Sequence, residues 1–185
     1  GNDNDLADDL AKKWCEARKR AVDHVQEKMV TPILMEMVVR SLHHVEGRNM
    51  GATPDGRGKG EPLADSIGAV TGTAHQGPTA MLNSVSKLDP VRYWQGGYNL
   101  NITLPLTIWT NDEMKDRLKA MIDTFFMNKG QELQINCLDP DILSEAQEDP
   151  DKHKDLMVRI AGFNAFFVKL SPTELKEIIR RADSM

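Results

Sequence analysis

Leu6, Leu10, Trp14, Ala17, Ala21 and Val25 recur at three- and four-residue steps, the spacing of one helical face. Asn4 or Asp5 is placed to cap that helix, the acidic residues of 3–9 suit its positive end, and Pro32 ends it at the latest. Lys12, Lys13, Arg18, Lys19 and Arg20 fill the other faces, so the apolar stripe is expected to turn inward. The run 33–42 (ILMEMVVRSL) fits a strand or a helical turn, and we read it as a strand. Residues 47–62, with five glycines and two prolines, read as a long loop. Gly77-Pro78-Thr79-Ala80 opens a helix to Leu88, and residues 98–105 (YNLNITLP) alternate as a strand does. A second long helix is expected over 112–128, with Met114, Leu118, Met121, Ile122 and Phe125 on one face and Gly130 as its stop. Residues 132–138 (ELQINCL) read as a strand, and Asp139-Pro140 starts a helix that ends near Asp149-Pro150. Two extended pieces, 158–160 and 163–168, hinge at Ala161-Gly162, and Ser171-Pro172-Thr173-Glu174 is a capping box opening a last helix to about 182. Helices alternating with short strands give an α/β layering.

Composition narrows the function classes. A chain of 185 residues makes one domain or two small ones, and 40% hydrophobic residues suffice for a core. Lys and Arg number 23 against 28 Asp and Glu, a net charge of −5, which argues against a nucleic-acid grip and against a polybasic membrane anchor. No apolar run approaches the ~20 residues that span a bilayer, and no charged-then-apolar leader is visible. Two cysteines, Cys15 and Cys137, make no disulfide framework, so a reducing, cytoplasmic setting is expected.

Ordinary catalytic signatures are missing. There is no His-Glu-x-x-His and no Cys-x-x-Cys. His43 and His44 are adjacent and would face opposite sides of a strand; they, like His24, His75 and His153, read as surface or satisfied core histidines, and no metal site is expected. The Gly-rich stretch 51–60 lacks the Gly-Lys-Ser/Thr ending of a phosphate cradle. What remains is Gly162, set between two apolar extended pieces beside Arg159. On its own it permits a tight bend or close packing.

Val158-Arg159-Ile160-Ala161-Gly162-Phe163-Asn164-Ala165-Phe166-Phe167 resembles the radical loop of glycyl radical enzymes of the pyruvate formate-lyase-like superfamily, an Arg-Val-x-Gly-Tyr/Phe type motif. Phe166-Phe167-Val168-Lys169-Leu170-Ser171-Pro172 and Glu177-Ile178-Ile179-Arg180-Arg181 resemble that family's closing strand and helix. Gly51-Ala52-Thr53-Pro54-Asp55-Gly56-Arg57 with Gly60-Glu61-Pro62-Leu63-Ala64-Asp65 is similar to a long family loop, and Gly77-Pro78-Thr79-Ala80 with Ser84-Val85-Ser86-Lys87-Leu88-Asp89 to the helix after it. With Gly1-Asn2-Asp3 resembling the run-in to the first helix, the likeness is collinear over essentially the whole chain.

The resemblance implies the C-terminal half of a ten-stranded α/β barrel of the glycyl radical enzyme type. Residues 1–140 would be a partial barrel, and 141–185 the radical loop, inserted into the barrel, and the closing helix. It implies a radical stored on the α-carbon of Gly162. There the unpaired electron spreads into the flanking amides if they become coplanar, and no side chain crowds the planar centre. Arg159, Ile160, Ala161 and Phe163 would shape and shield the loop, and Phe166 would help exclude water. Thr79, Leu104 and Pro105 would line the substrate pocket. The radical passes by hydrogen-atom transfer to a cysteine thiol and then to substrate, between atoms about 3–4 Å apart. No bound cofactor is implied: the radical is protein-derived and is installed by a separate activating enzyme that uses S-adenosylmethionine and an iron–sulfur cluster.

Nothing in this sequence matches the family's thiyl-cysteine loop. Cys15 lies on the first helix beside Trp14, and Cys137 at a strand end, where a buried structural thiol is expected. The implied partners are therefore a larger chain carrying that cysteine, the activating enzyme and a small organic substrate. The chain is then the radical-carrying subunit or portion of such an enzyme. Alternatives are a spare-part radical carrier that repairs an oxygen-damaged parent, which known carriers of shorter reach make the weaker reading, and a non-catalytic module. Intact Gly162 and Arg159 speak against the last. Tyr98-Asn99-Leu100-Asn101-Ile102-Thr103-Leu104-Pro105 departs from the commoner dehydratase-like strand and leans toward an apolar pocket, as for hydrocarbon addition.

Overall fold

The computed structural model describes residues 1–38, 42–70, 72–160 and 164–183. Its first helix, α1 (Asp5–Gln26), starts where the sequence places it, with the Asn4 side chain accepting from the Ala7 N–H at 3.1 Å. A two-residue strand, β1 (Glu36–Met37), precedes α2 (Leu42–Asn49). After a loop come α3 (Gly77–Ser86) and the short α4 (Pro90–Tyr93). Strand β2 (Gly97–Tyr98) then runs on, past Asn99, into β3 (Leu100–Pro105). A 3-10 turn at Leu106–Trp109 leads to α5 (Asp112–Met127), followed by β4 (Leu133–Leu138) and α6 (Pro140–Glu148). The chain closes with β5 (Met157–Arg159), β6 (Asn164–Phe166), a 3-10 turn at Phe167–Lys169 and α7 (Pro172–Asp183).

Strand β1 pairs parallel with β2, and β3 pairs parallel with β4 over six residue pairs, from Leu100 opposite Leu133 to Pro105 opposite Leu138. Parallel strands need a crossover, and α5 supplies the one between β3 and β4. Facing residues of a parallel pair share a side. Leu100, Ile102, Leu104, Leu133, Ile135 and Cys137 therefore form one surface, which joins a core with Tyr98, Leu118 and Phe125. Tyr98 meets Phe125 edge-on at 6.5 Å, and burial pushes its phenol up to about 12. A second core collects Leu143, Ala146, Val158, Ile160, Phe167 and Ile178 from α6, the C-terminal strands and α7.

Several expectations are corrected. The stripe Leu6, Leu10, Trp14, Ala17, Ala21 and Val25 is exposed, and the inward side of α1 carries Asp8, Cys15 and Val22 instead. Polar contacts set that docking. Lys87 sits 2.6, 2.8 and 2.9 Å from Asp3, Asp5 and Asp8, Glu16 accepts from the Tyr93 hydroxyl at 2.8 Å, and the Arg18 guanidinium lies 5.2 Å from the Trp94 ring. Second, the strand expected over 33–42 is confined to Glu36–Met37 among the described residues, and Leu42 already opens α2. His43 and His44 consequently lie on a helix and are both buried, with ring centroids 4.1 Å apart. Third, the left-handed residue that ends α5 is Lys129 (φ 68°), not Gly130. Lys129 N–H donates to Phe126 O at 3.0 Å and Gly130 N–H to Phe125 O at 2.9 Å, the paired bonds of a Schellman stop. Gly130 is needed for space, since a Cβ there would lie 2.3 Å from the Phe125 ring.

The loop after α2 is ordered by its own backbone. The Thr53 N–H donates to the Arg57 carbonyl at 3.0 Å, and the buried Arg57 guanidinium donates to the carbonyls of Glu61 (2.6 Å) and Gly51. Arg57 thus serves backbone oxygens rather than the Asp55 carboxylate, whose partner is the Thr53 hydroxyl. The segment 167–168, expected as extended chain, is part of the 3-10 turn, so β6 ends at Phe166.

Two substitutions test this packing. Gly130→Ala must displace a ring that is 1% exposed, and we expect a loss of ~1–3 kcal/mol in urea unfolding; an unchanged midpoint would show the site is looser than described. Phe167→Ala empties the centre of the second core and should cost ~3–5 kcal/mol by the same measurement, with faster amide exchange across β5 and β6 before α1 is affected. Equal acceleration in both places would mean the two cores do not open separately.

Candidate functional site

Strand alternation builds the site. With their apolar neighbours facing the first core, Asn101 and Thr103 of β3 and Gln134 and Asn136 of β4 share the opposite side, Asn101 opposite Gln134 and Thr103 opposite Asn136. This is a side of amides and hydroxyls within a protein interior: Gln134 and Asn136 are 7% and 6% exposed. Asn101 Nδ2 donates to the buried Asp65 Oδ2 at 2.7 Å. Gln134 Nε2 donates to the Ile160 carbonyl at 2.9 Å, a buried bond between residues 26 apart in sequence.

Ile160 directly follows β5 of the antiparallel pair β5–β6, in which Met157 faces Phe166, Val158 faces Ala165 and Arg159 faces Asn164. The chain between Arg159 and Asn164 is therefore a hairpin connection. Ile160 is buried in the second core, and Arg159 is exposed, its guanidinium 3.3 Å from Asn164 Oδ1. Ala161, Gly162 and Phe163 lie outside the described residues. Phe166, expected to help exclude water, instead turns outward and carries the Lys169 ammonium 5.1 Å from its ring.

Thr79, Leu104 and Pro105 line one open cavity of about 350 Å3, bordered by β3, the first turn of α3, the first turns of α5 and the chain from Asp65 to Ala74. Its walls are mostly apolar, with Asp65, Asn101 and Arg117 among the polar members. Neither cysteine belongs to the amide side. Cys137 shares the apolar surface with Leu104, and Cys15 is buried on α1, where burial pushes its thiol up. Among the described residues no cluster of histidine, cysteine and carboxylates could hold a metal ion, and no helix is long and apolar enough to cross a membrane.

Gln134, Asn136, Asn101 and Asp65 are the site residues that sequence reasoning did not single out. The signal was present as polar residues at every second position of two strands whose alternate positions are apolar.

Comparison with known proteins places this arrangement. The family model described as glycine radical matches residues 63–168, which span both parallel strands and the hairpin. Over 140 residues the chain is 41% identical to the probable dehydratase YbiW of Escherichia coli (strain K12), covering 75% of this chain and 17% of that protein. It is 31% identical over 183 residues to the trans-4-hydroxy-L-proline dehydratase of Clostridioides difficile, covering 99% and 23%. The glycerol-bound form of the B12-independent glycerol dehydratase from Clostridium butyricum superposes with a TM-score of 0.85 at 36% identity, over 98% of this chain and 23% of that one. The chain thus spans about a fifth of the length of these relatives. A match across more than half its residues, reaching from the parallel strands through the β5–β6 hairpin, makes the chain a member of the glycyl radical family, in the pyruvate formate-lyase-like superfamily.

Proposed function

We propose that this chain stores an organic radical on Gly162 and delivers it by hydrogen-atom transfer to a cysteine outside this sequence. The observation that carries the reading is the family match over 63–168, which takes in the connection between β5 and β6 where Gly162 falls. In the transfer, a cysteine S–H bond breaks and its hydrogen forms a C–H bond at the Gly162 α-carbon. The unpaired electron is left on sulfur. The thiyl radical then takes a hydrogen atom from substrate and regains its S–H bond. Close approach is essential at each step, about 3–4 Å between reacting atoms.

The parallel strands would belong to a ten-stranded barrel, with residues 1–140 as part of its wall and 141–185 as the radical loop and closing helix. The cysteine and its neighbouring base would come from further polypeptide, and a separate S-adenosylmethionine-dependent iron–sulfur enzyme would install the radical. The exposed apolar stripe of α1 supports the need for further polypeptide, because Leu6, Leu10 and Trp14 are a cost left facing water. Likeness over 98–99% of the chain supports a portion of a catalytic assembly rather than a short spare part. The setting would be cytoplasmic, where anaerobic metabolism keeps oxygen from the radical.

The relatives' names favour elimination from a small hydroxylated substrate as the reaction, in an enzyme of the lyase class. Thr79, Leu104 and Pro105 would contribute to the substrate pocket, and Arg159, Ile160, Ala161 and Phe163 would support the radical loop. The apolar walls of the 350 Å3 cavity favour a second reading, addition to a hydrocarbon or other apolar substrate.

The test is spin resonance after anaerobic activation of the protein together with its cysteine-bearing polypeptide. An organic-radical doublet is expected and Gly162→Ala should abolish it; a doublet surviving that substitution would place the radical elsewhere. Brief exposure of the activated protein to air should cut the backbone at Gly162 and release a piece ending at Met185, and only intact chain in the mass spectrum after verified activation would count against the proposal.

A further inference from the structure

Among the described residues the hairpin β5–β6 pairs at three positions. Just past β5 it is tied to the parallel pair from outside, where the Gln134 carboxamide donates to the Ile160 carbonyl at 2.9 Å. That bond is buried, so water cannot replace it when it is lost. The carbonyl of Ile160 belongs to the peptide unit that leads into Ala161, one unit ahead of the amide that must lie coplanar with a radical at Gly162. Gln134 itself has little freedom. It lies on a six-residue strand between Leu133 and Ile135, whose side chains pack against the first core.

We propose that Gln134 is the positioning residue of the radical-bearing connection. Its carboxamide fixes the peptide plane at Ile160, and so sets how often Ile160, at the end of β5, leaves its seat on the amide side of β4. The inference rests on the reading of Gly162 as the radical site, but the seating itself is measurable without a radical. A net hydrogen bond of this kind corresponds to about a tenfold change in the population of the released form.

The experiment compares the full chain with Gln134→Leu, Gln134→Glu and a control, Gln131→Leu. Gln131 makes a comparable pair of bonds elsewhere, accepting from Tyr98 N–H and donating to Trp94 O, each at 2.9 Å. The readout is amide exchange of residues 157–166 at pH 5 and pH 8, each scaled to the unfolded chain's rate. Gln134→Leu should exchange about tenfold faster than the native chain at both pH values. Gln134→Glu should behave like the native chain at pH 5, where a buried, protonated carboxyl still donates to the Ile160 carbonyl. It should match Gln134→Leu at pH 8, where oxygen faces oxygen. The Gln131 variant should leave this segment unchanged at both pH values. Exchange in the Gln134 variants equal to that of the control, or a Gln134→Glu variant with no pH dependence, would overturn the inference. In the activated protein the Gln134→Leu doublet should decay several-fold faster once the activating enzyme is removed, and equal decay would also overturn it. Absence of a doublet even in the native protein would refute the radical reading alone, and the exchange comparison would then decide the seating.

Discussion

Six residue pairs between β3 and β4 divide this molecule into two sides. On one side Leu100, Ile102, Leu104, Leu133 and Ile135 take the helices and the hydrophobic stabilisation that goes with them. On the other, Asn101, Gln134 and Asn136 remain polar although the protein covers most of their surface. Burying amides costs free energy unless they find partners. Two of them find theirs at a distance in sequence, Asn101 at Asp65 and Gln134 at Ile160. The arrangement therefore exchanges some stability for specificity of contact, which an apolar surface could not give: a carboxamide selects one carbonyl and one orientation.

That exchange explains why the C-terminal hairpin is seated where it is. Its second core, around Leu143, Val158, Phe167 and Ile178, is a separate small cluster, and it supports β5 and β6 without extending the first core. A glycine that carries a radical needs two conditions that pull against one another. It must sit in a fixed, dry place for transfer, and it must be reachable while the radical is installed. A short hairpin packed by its own small core, apart from the first, is the kind of unit that can open without the rest of the fold.

Much of this was legible in the sequence. The ends of α1, α3, α5, α6 and α7 follow from Asn4, Pro78, Asn111, Asp139 and the Ser171–Glu174 box, because capping is local chemistry. Resemblance around Gly162 identified the family for the same reason: its residues are set by chemistry at one place. What was not legible depends on the rest of the fold. Periodicity identified the stripe on α1 but not its direction, since Lys87 and Glu16 turn the helix by ion pairs and hydrogen bonds to distant residues. The two histidines of α2 were assigned to a strand because a β-branched, apolar run precedes them. Gln134 escaped notice because alternation marks a polar side of the strand, while only the register shows what that side faces. Lys129 and Gly130 show the same limit at small scale, where the residue with the free backbone and the residue with the free space are neighbours.

The account's central claim is that the unpaired electron resides on a glycine α-carbon of this chain. Isotopic labelling tests it most directly. Protein prepared with glycine carrying carbon-13 at the α position, activated anaerobically, should give a resonance split further than that of the unlabelled protein, because the labelled nucleus then carries the spin. A spectrum identical with and without the label would contradict the claim.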